Sequence, residues 1–536
     1  MSQPDQFTDF TSLLKSDGPI ALVIKQELAP DDEDERTIFP PTYPMTFFKG
    51  RVQRFEHGVY RVSVELPPDT KREKDEKKDN QKPGYQIDRF SDDENLCEID
   101  SIQSQSNRIE PQFKTIRDGK LVPQITIDVK DETVNLLDAG HRAADAVVRM
   151  SSLAPDFHDA WTAANKGDLF PMATLAPTTI VFGAWDSRST QAKLKRLMKA
   201  HIRATNVRER TRSAQYTPAA DYVGLGAIGE DVSQGEDEKN NLSQEGMKHA
   251  LSTQTVGGVV LTADSRLTRT VNVNLAAIRK LRASARTAPV AEDADEDDKD
   301  AARKEKLQLE EEKTRVLREY ILGLTLVAAY STPDLDLREG CNLQVKDQQQ
   351  VTVFVQDRRE HVHEIRVSAV EAFAEHAAKQ FFEVANVDFG DKDHHGVFES
   401  GVAEKFLSMP TADRDKVRRL GPVTQVTLAR FASMGKDPLK AVTDELNAVK
   451  KAIGNKPRGK NAQPIVNIAA FQSTAVLLEE LAADDTLPDG MSPLVGELAD
   501  KAKAHDDSHE AHKTIVDKIK EFKKAMKKSE STEASK

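Results

Sequence analysis

The chain has 536 residues, with 76 lysines and arginines against 88 aspartates and glutamates, a formal net charge of −12. At roughly 100–200 residues per domain the length accommodates two to four domains and a sizeable core. Charged residues at 31% and a mean hydropathy of −0.56 exclude a membrane-embedded chain, and the longest apolar run, Ile321–Tyr330, is half of the ~20 residues a spanning helix needs.

The opening residues, MSQPDQFTDF, carry neither a basic region nor an apolar stretch, so no secretory signal is visible and a cytoplasmic location is expected. Two cysteines, Cys97 and Cys341, build neither a disulfide framework nor a cysteine-based zinc site. Net acidity by itself argues against a nucleic-acid partner, and the distribution of charge along the chain tests that argument.

In chain order, Ile20–Leu28 reads as a β-branched first strand bounded by Gly18-Pro19 and Pro30. Gly58–Leu66 alternates like a half-buried strand. Pro67–Gly84 is almost wholly polar and reads as a mobile insertion. Ser101–Glu110 and Asp138–Met150 are helix candidates. Thr178–Phe182 reads as a buried strand ending at Gly183. Ser189–Thr205 has Leu194, Leu197, Met198 and Ile202 at helical spacing and reads as an amphipathic helix. Gly229–Gly246 is a second polar insertion, and Val256–Leu261 a glycine-containing strand. Ala291–Asp300 carries seven acids and one lysine and reads as another mobile segment. Arg315–Tyr330 is a mostly buried helix, Val351–Gln356 a strand, and Ser368–Val384 a helix. After about residue 400 the pattern is helical, with Pro438–Ile453, Ala469–Ala483 and His512–Lys527 as the clearest segments, and the last ten residues are expected to fray. Mixed strands and helices followed by helices alone predict an α+β fold with large insertions and a helical C-terminal extension.

The charge is not evenly spread. Between Arg188 and Arg212 lie nine basic residues (Arg188, Lys193, Lys195, Arg196, Lys199, Arg203, Arg208, Arg210 and Arg212) and one acid, Glu209. On a helix Arg196, Lys199 and Arg203 form a ridge, and the alternating Arg208, Arg210 and Arg212 point one way from an extended stretch, at a spacing that can follow phosphates. A basic helix is usually a solvated face; nine cations with one acid favour nucleic-acid contact.

Ser101–Arg108 is the second polar cluster. Its Gln103 and Asn107 share one helical face, and Ser104 and Arg108 the next. Amides and an arginine there bind phosphate, sugar or base edges, or serve as caps and helix-face hydrogen bonds, and the pattern leaves both open. His141, Asp145 and Arg149 at i, i+4, i+8 read as a local ion-pair ladder. Gly224–Gly229 (GLGAIG) satisfies the dinucleotide-binding glycine spacing but lacks the strand before and the helix after it, and an acidic loop follows; it reads as a hinge. His361, His363, Asp391, Asp393, His394 and His395 lack the spacing that puts two ligands on one helical face, so no metal is expected. Nothing suggests a bound cofactor, and no phosphate-binding G-x-x-x-x-G-K-[ST] loop occurs. The lysine-rich helix His512–Lys527 has an apolar stripe that packs on its own domain or docks a partner.

Ile99–Pro111 (IDSIQSQSNRIEP), Leu136–Arg149 (LLDAGHRAADAVVR), Leu175–Ala204, Arg212–Val223 (RSAQYTPAADYV) and Val256–Leu261 (VGGVVL) occur in this order. Together, and with Phe182–Gln191 (FGAWDSRSTQ) as the most specific run, they resemble the RAMP-superfamily backbone subunit of the type I-G (formerly I-U) CRISPR Cascade complex. Leu322–Leu343 resembles the same family's closing helix and loop, so the resemblance spans roughly residues 18–390. It implies a modified RRM-like (ferredoxin-like) palm with inserted thumb and finger segments. It also implies a non-catalytic role: copies assemble side by side with other Cascade subunits along a CRISPR guide RNA, holding it for pairing with target DNA. By resemblance Gln103, Gln105, Asn107 and Arg108 lie on the first palm helix, while Trp185–Lys193, including Arg188 and Gln191, and the Arg203–Arg212 stretch line the RNA channel.

The expected organisation is a guide-RNA-binding domain over 1–395, with mobile insertions near 67–95, 229–246 and 287–313, and a helical extension over 396–536. The competing expectation is a subunit that also cleaves target RNA with a metal, through Asp186 or Asp264; a nicotinamide-dependent enzyme built on GLGAIG is the remote third.

Overall fold

The computed structural model describes residues 9–434 other than 33, 45–52, 57–58, 63–82, 92–93, 230–241, 243–244, 286–295, 347–350, 357–358, 363–364 and 391. Most of the two polar insertions, the first half of the acidic segment and the three helices expected after residue 434 lie outside the described residues. The elements that matter here, in chain order, are strands β1 (Ala21–Pro30), β2 (Ile87–Arg89), β3 (Asn95–Asp100), helix α1 (Ile102–Ile109), β4 (Ile125–Val129), β5 (Glu132–Asn135), helices α2 (Ala154–Asn165), α3 (Phe170–Leu175) and α4 (Pro177–Phe182). They continue with β6 (Ala184–Trp185), β7 (Lys193–Leu194), β8 (Met198–Tyr216), β9 (Ala250–Asn274), α5 (Glu296–Tyr330), β10 (Val351–Gln356), β11 (Arg359–Val362), α6 (Val367–Val384), β12 (His394–Val397), α7 (Ser400–Leu407), α8 (Thr411–Leu420) and α9 (Gln425–Met434).

The main sheet runs β11-β10-β1-β9-β8-β3-β2, with every neighbouring pair antiparallel. Taken along the chain, β1, α1, β8, β9, α5 and β10 follow the β-α-β-β-α-β order of a ferredoxin-like unit, with spatial order β10-β1-β9-β8. The protein is therefore α+β, as the sequence predicts.

The sheet is amphipathic by the period-2 rule. Leu22 and Ile24 of β1, Val271 and Val273 of β9 and Met198 and Ala200 of β8 share the main core with Ile109 of α1, Val316–Tyr330 of α5 and Phe381 and Phe382 of α6. Burying each large apolar side chain stabilises the fold by ~1.5–3 kcal/mol. Gly323 of α5 lets α6 approach closely: a Cβ there would stand 2.8 Å from Ala374 Cα.

Several expectations are corrected. Ser189–Thr205 is not a helix: it comprises a loop, β7 and the start of β8, because Met198, Ala200, Ile202 and Ala204 alternate as fully buried residues. Thr178–Phe182 is helical instead of a strand, entered at Pro177 and left at Gly183 with φ 74°. Asp138–Met150 breaks into two 3-10 turns and one α-turn around Arg142, whose φ is 54°. The His141–Asp145–Arg149 ladder therefore does not form; Asp145 instead caps the turn by accepting from Val147 N–H. Part of the 67–95 insertion is the edge strand β2. Residues 296–313 of the expected mobile segment are the first half of α5, a 35-residue helix.

β12 runs parallel to β4, which also pairs with β5, so this strand crosses the expected boundary at 395/396. Beyond it, α7–α9 form a small helical module whose own core (Val402, Phe406, Val417, Leu428) includes Met150 of the body. Among the described residues no helix is long and apolar enough to cross a membrane.

Candidate nucleic-acid interface

The basic residues seen in the sequence do not form one stripe; the sheet divides them. On the core side, α1 starts at Ser101, which caps it by accepting from Ser104 N–H. Gln103 and Asn107 stand exposed on its outer face. Gln103 Nε2 donates to Asn107 Oδ1 at 2.9 Å and to the Gly140 carbonyl at 3.4 Å, and Arg196 donates to Gln103 Oε1. Arg196 Nε is buried without a partner, and burial, reinforced by the nearby Arg142 charge, lowers the pKa of this guanidinium. Three of the anticipated residues thus meet: Gln103, Asn107 and Arg196.

Arg142 holds this corner together from beneath. It is 2% exposed, donates to Glu110 Oε2 at 2.5 Å and to the Gly183 carbonyl at 3.2 Å, and lies over the Phe182 ring. Gly183 cannot be replaced without strain: besides its positive φ, a Cβ would stand 2.8 Å from Arg196 N and 2.9 Å from Leu194 O.

Beside this cluster, β6 and β7 form a two-stranded hairpin pairing Trp185 with Lys193. Arg188, Gln191, Lys193 and Lys195 are exposed on it, and Gln191 (φ 62°) donates through Nε2 to the Ser187 carbonyl. Asp186 is 2% exposed, and its Oδ2 accepts from Thr190 N and Oγ1, both at 2.8 Å, closing the turn. A cavity of about 30 Å³ behind the turn is lined by Arg149, His158, Asp186, Arg188 and, from the helical module, Arg418.

The opposite face of the sheet is open. Lys199, His201 and Arg203 project there, opposite Asn272, Thr270 and Thr268 of β9. Arg203 lies 3.5 Å from Glu98. Burial, with Arg203 adding repulsion, lowers the pKa of His201 to about 4, so it adds no positive charge near pH 7. Farther along, Arg208, Arg210 and Arg212 are exposed on the continuation of β8 paired with β9. Their simple alternation is interrupted: the pairing register shifts between Glu209 and Thr211 and again after Arg212, leaving Arg210 at the irregularity. Arg212 lies over the Phe39 ring.

Two anticipated contact residues have other work. Gln105 is fully buried; its Nε2 donates to Asp100 Oδ2 at 2.7 Å and its Oε1 accepts from Arg269 Nε at 2.9 Å. Arg269, also fully buried, donates further to Gln26 Oε1 and the Ser331 carbonyl, tying β9, α1, β1 and the end of α5 together. Arg108 donates to the Leu337 carbonyl and lies 3.5 Å from Asp100. Gln105 is therefore a framework residue, and Arg108 sits half-buried against the 331–343 loop. The signal was available: Gln105 is four residues before the buried Ile109 on α1.

Of the other candidates, Asp264 is exposed on β9 and GLGAIG lies in turns after β8, with residues 230–241 beyond it outside the described residues. His395 Nε2 is 3.0 Å from Asp128 Oδ2 and its Nδ1 3.1 Å from Thr126 Oγ1, which links β12 to β4. His363 and Asp391 lie outside the described residues. Among the described residues no group of three or more His, Cys, Asp or Glu side chains is placed to hold a metal ion.

The fold and this surface define an α+β protein with a ferredoxin-like core, amides and cations gathered on the first helix and the neighbouring hairpin. Residues 22–209, from β1 through this hairpin and into β8, match the family model described as CRISPR-associated protein GSU0053. No curated protein matches the chain.

Proposed function

We propose that this protein is a non-catalytic backbone subunit of a CRISPR RNA-guided surveillance complex of the Cascade kind, type I-G. It acts in the cytoplasm for antiviral defence. Copies stand side by side along a guide RNA with other Cascade subunits, and the guide is held for pairing with invading DNA. Residues 1–395 carry the RNA grip, and 396–536 form a helical extension.

The observation that carries this reading is the family match over 22–209, which contains the Gln103–Asn107–Arg196 cluster and the basic hairpin. Physical chemistry supports the same reading. A subunit that accepts any guide must bind without reading sequence, so contacts to phosphate dominate. Arginine is the residue suited to that task, through its permanent charge and planar donor fork.

Binding of an unstructured single-stranded RNA, measured by anisotropy over a range of salt, tests this. Each phosphate contact contributes about 0.7 to the slope of log affinity against log salt for a single strand. Arg196→Gln and Lys193→Gln each lower the slope by about that amount and weaken binding of every sequence alike. Lys199→Gln, on the opposite face of the sheet, changes it less. Equal slopes for all four proteins would overturn the assigned surface. Incubation of the RNA-bound protein with a complementary RNA and Mg²⁺ or Mn²⁺ leaves the strand intact; metal-dependent cuts lost in Asp186→Asn or Asp264→Asn would favour the cleaving subunit instead.

A further inference from the structure

Trp185 is 55% exposed, on a segment built to hold it still. Its strand pairs with β7, Asp186 N–H donates to the Ala192 carbonyl, and Gln191 N–H donates to the Asp186 carbonyl. The Asp186 carboxylate closes the intervening turn through Thr190, and Asn165 of α2 donates to the Thr190 carbonyl at 2.8 Å. The chain's other tryptophan, Trp161, is 2% exposed and donates through Nε1 to the Ala143 carbonyl. A large aromatic left half in water on a rigid turn is a surface awaiting a partner, because its burial is among the strongest contributions a side chain makes to binding.

The surroundings choose the partner. Lys193 Nζ lies 5.4 Å from the indole centroid, over the ring, and Arg188 and Lys195 stand exposed on the same hairpin. An apolar protein surface closing over the indole would bury these cations without partners, which is costly. A flat, apolar base attached to an anionic backbone satisfies both: the base stacks on the indole while the phosphates on either side meet the cations.

We propose that Trp185 is a stacking platform for one unpaired base of a single-stranded RNA. This rests on the RNA-scaffold reading and adds to it a contact made to a base instead of to the backbone. The stack is indifferent to base identity, as a carrier of varied guides requires.

The test uses the full chain with a short oligouridylate and the same strand carrying abasic positions, reading both anisotropy and tryptophan emission. RNA quenches the wild-type emission through Trp185, and Trp161 leaves a constant buried background. Trp185→Leu weakens oligouridylate binding roughly five- to a hundredfold, the range of one base–aromatic stack, without changing the salt slope. Trp185→Phe restores most of the loss, and on the abasic strand wild type and Trp185→Leu bind alike. Equal affinity of wild type and Trp185→Leu for oligouridylate, with emission unmoved at saturation, overturns the platform while leaving the scaffold reading intact. Emission that shifts with protein concentration in the absence of RNA also overturns it, since the indole then faces another copy. Failure of the wild type to bind oligouridylate at low salt overturns both.

Discussion

Glu110 and Arg142 set the corner from which the candidate interface is built, and their burial makes the corner sensitive to pH. Burial raises the Glu110 pKa to about 7, against the opposing pull of Arg142 and Thr178. Between about pH 4.5 and 7 the native state then holds a proton that the unfolded chain has released. The contribution of this group is full below pH 4.5 and is lost as pH rises through 7, on the order of 3 kcal/mol in all. Urea midpoints of wild type and Glu110→Gln across that range check this: wild-type stability declines relative to the variant as pH rises, and a flat or rising difference contradicts it. The same scale shows where residue type misleads. Gln103 and Gln105 look equivalent in IQSQSNR, yet one is exposed against Arg196 and the other is buried beneath Arg269. Their different positions relative to Ile109 on a helix of 3.6-residue period separate them. Arg269 gave no local signal, because only the pairing of β9 with β1 and β8 brings it to Gln26 and Gln105.

At the scale of elements, the largest departure between expectation and structure is β8. Leu194, Leu197, Met198 and Ile202 fit a helical stripe, but the alternation of Met198, Ala200, Ile202 and Ala204 against Lys199, His201 and Arg203 fits a strand over the same residues. Small alanines weaken an alternation that reads clearly once they are counted as core. Thr178–Phe182 failed differently. Five consecutive buried residues, TTIVF, have no period, and the Pro177 entry and Gly183 exit were the informative signals. The strand β1, the helix α1 and the helices ending at Tyr330 and Val384 were legible because caps, breakers and apolar runs agreed. Gly183 is the junction between α4 and the hairpin, so Gly183→Ala tests how far the interface depends on it. The substitution strains a positive φ and presses on Arg196 and Leu194; it lowers stability by ~1–3 kcal/mol and weakens RNA binding through the displaced Arg196. A thermal midpoint and an RNA affinity both at wild-type values would show that the close approach is dispensable.

At the scale of the whole molecule, net charge is a poor guide to partners. The value of −12 sums acid-rich segments such as 291–300 with cations carried on the hairpin, the open sheet face and the β8–β9 continuation. The α+β class and the helical pattern over 400–434 could be read from the chain; the division of the basic residues between two faces could not, since it depends on a strand register fixed only by long-range pairing. The helical module also reaches the body, through Met150 in its core and Arg418 beside Arg149 and Arg188, so the extension adjoins the proposed RNA-binding surface. The central claim, that this acidic protein carries guide RNA, is tested most directly by sizing the nucleic acid that stays with the full chain when it is produced alongside a CRISPR array and purified at low salt. The account predicts protected RNA of discrete, guide-related lengths. Protein that emerges free of nucleic acid and takes up no RNA at low salt would contradict it.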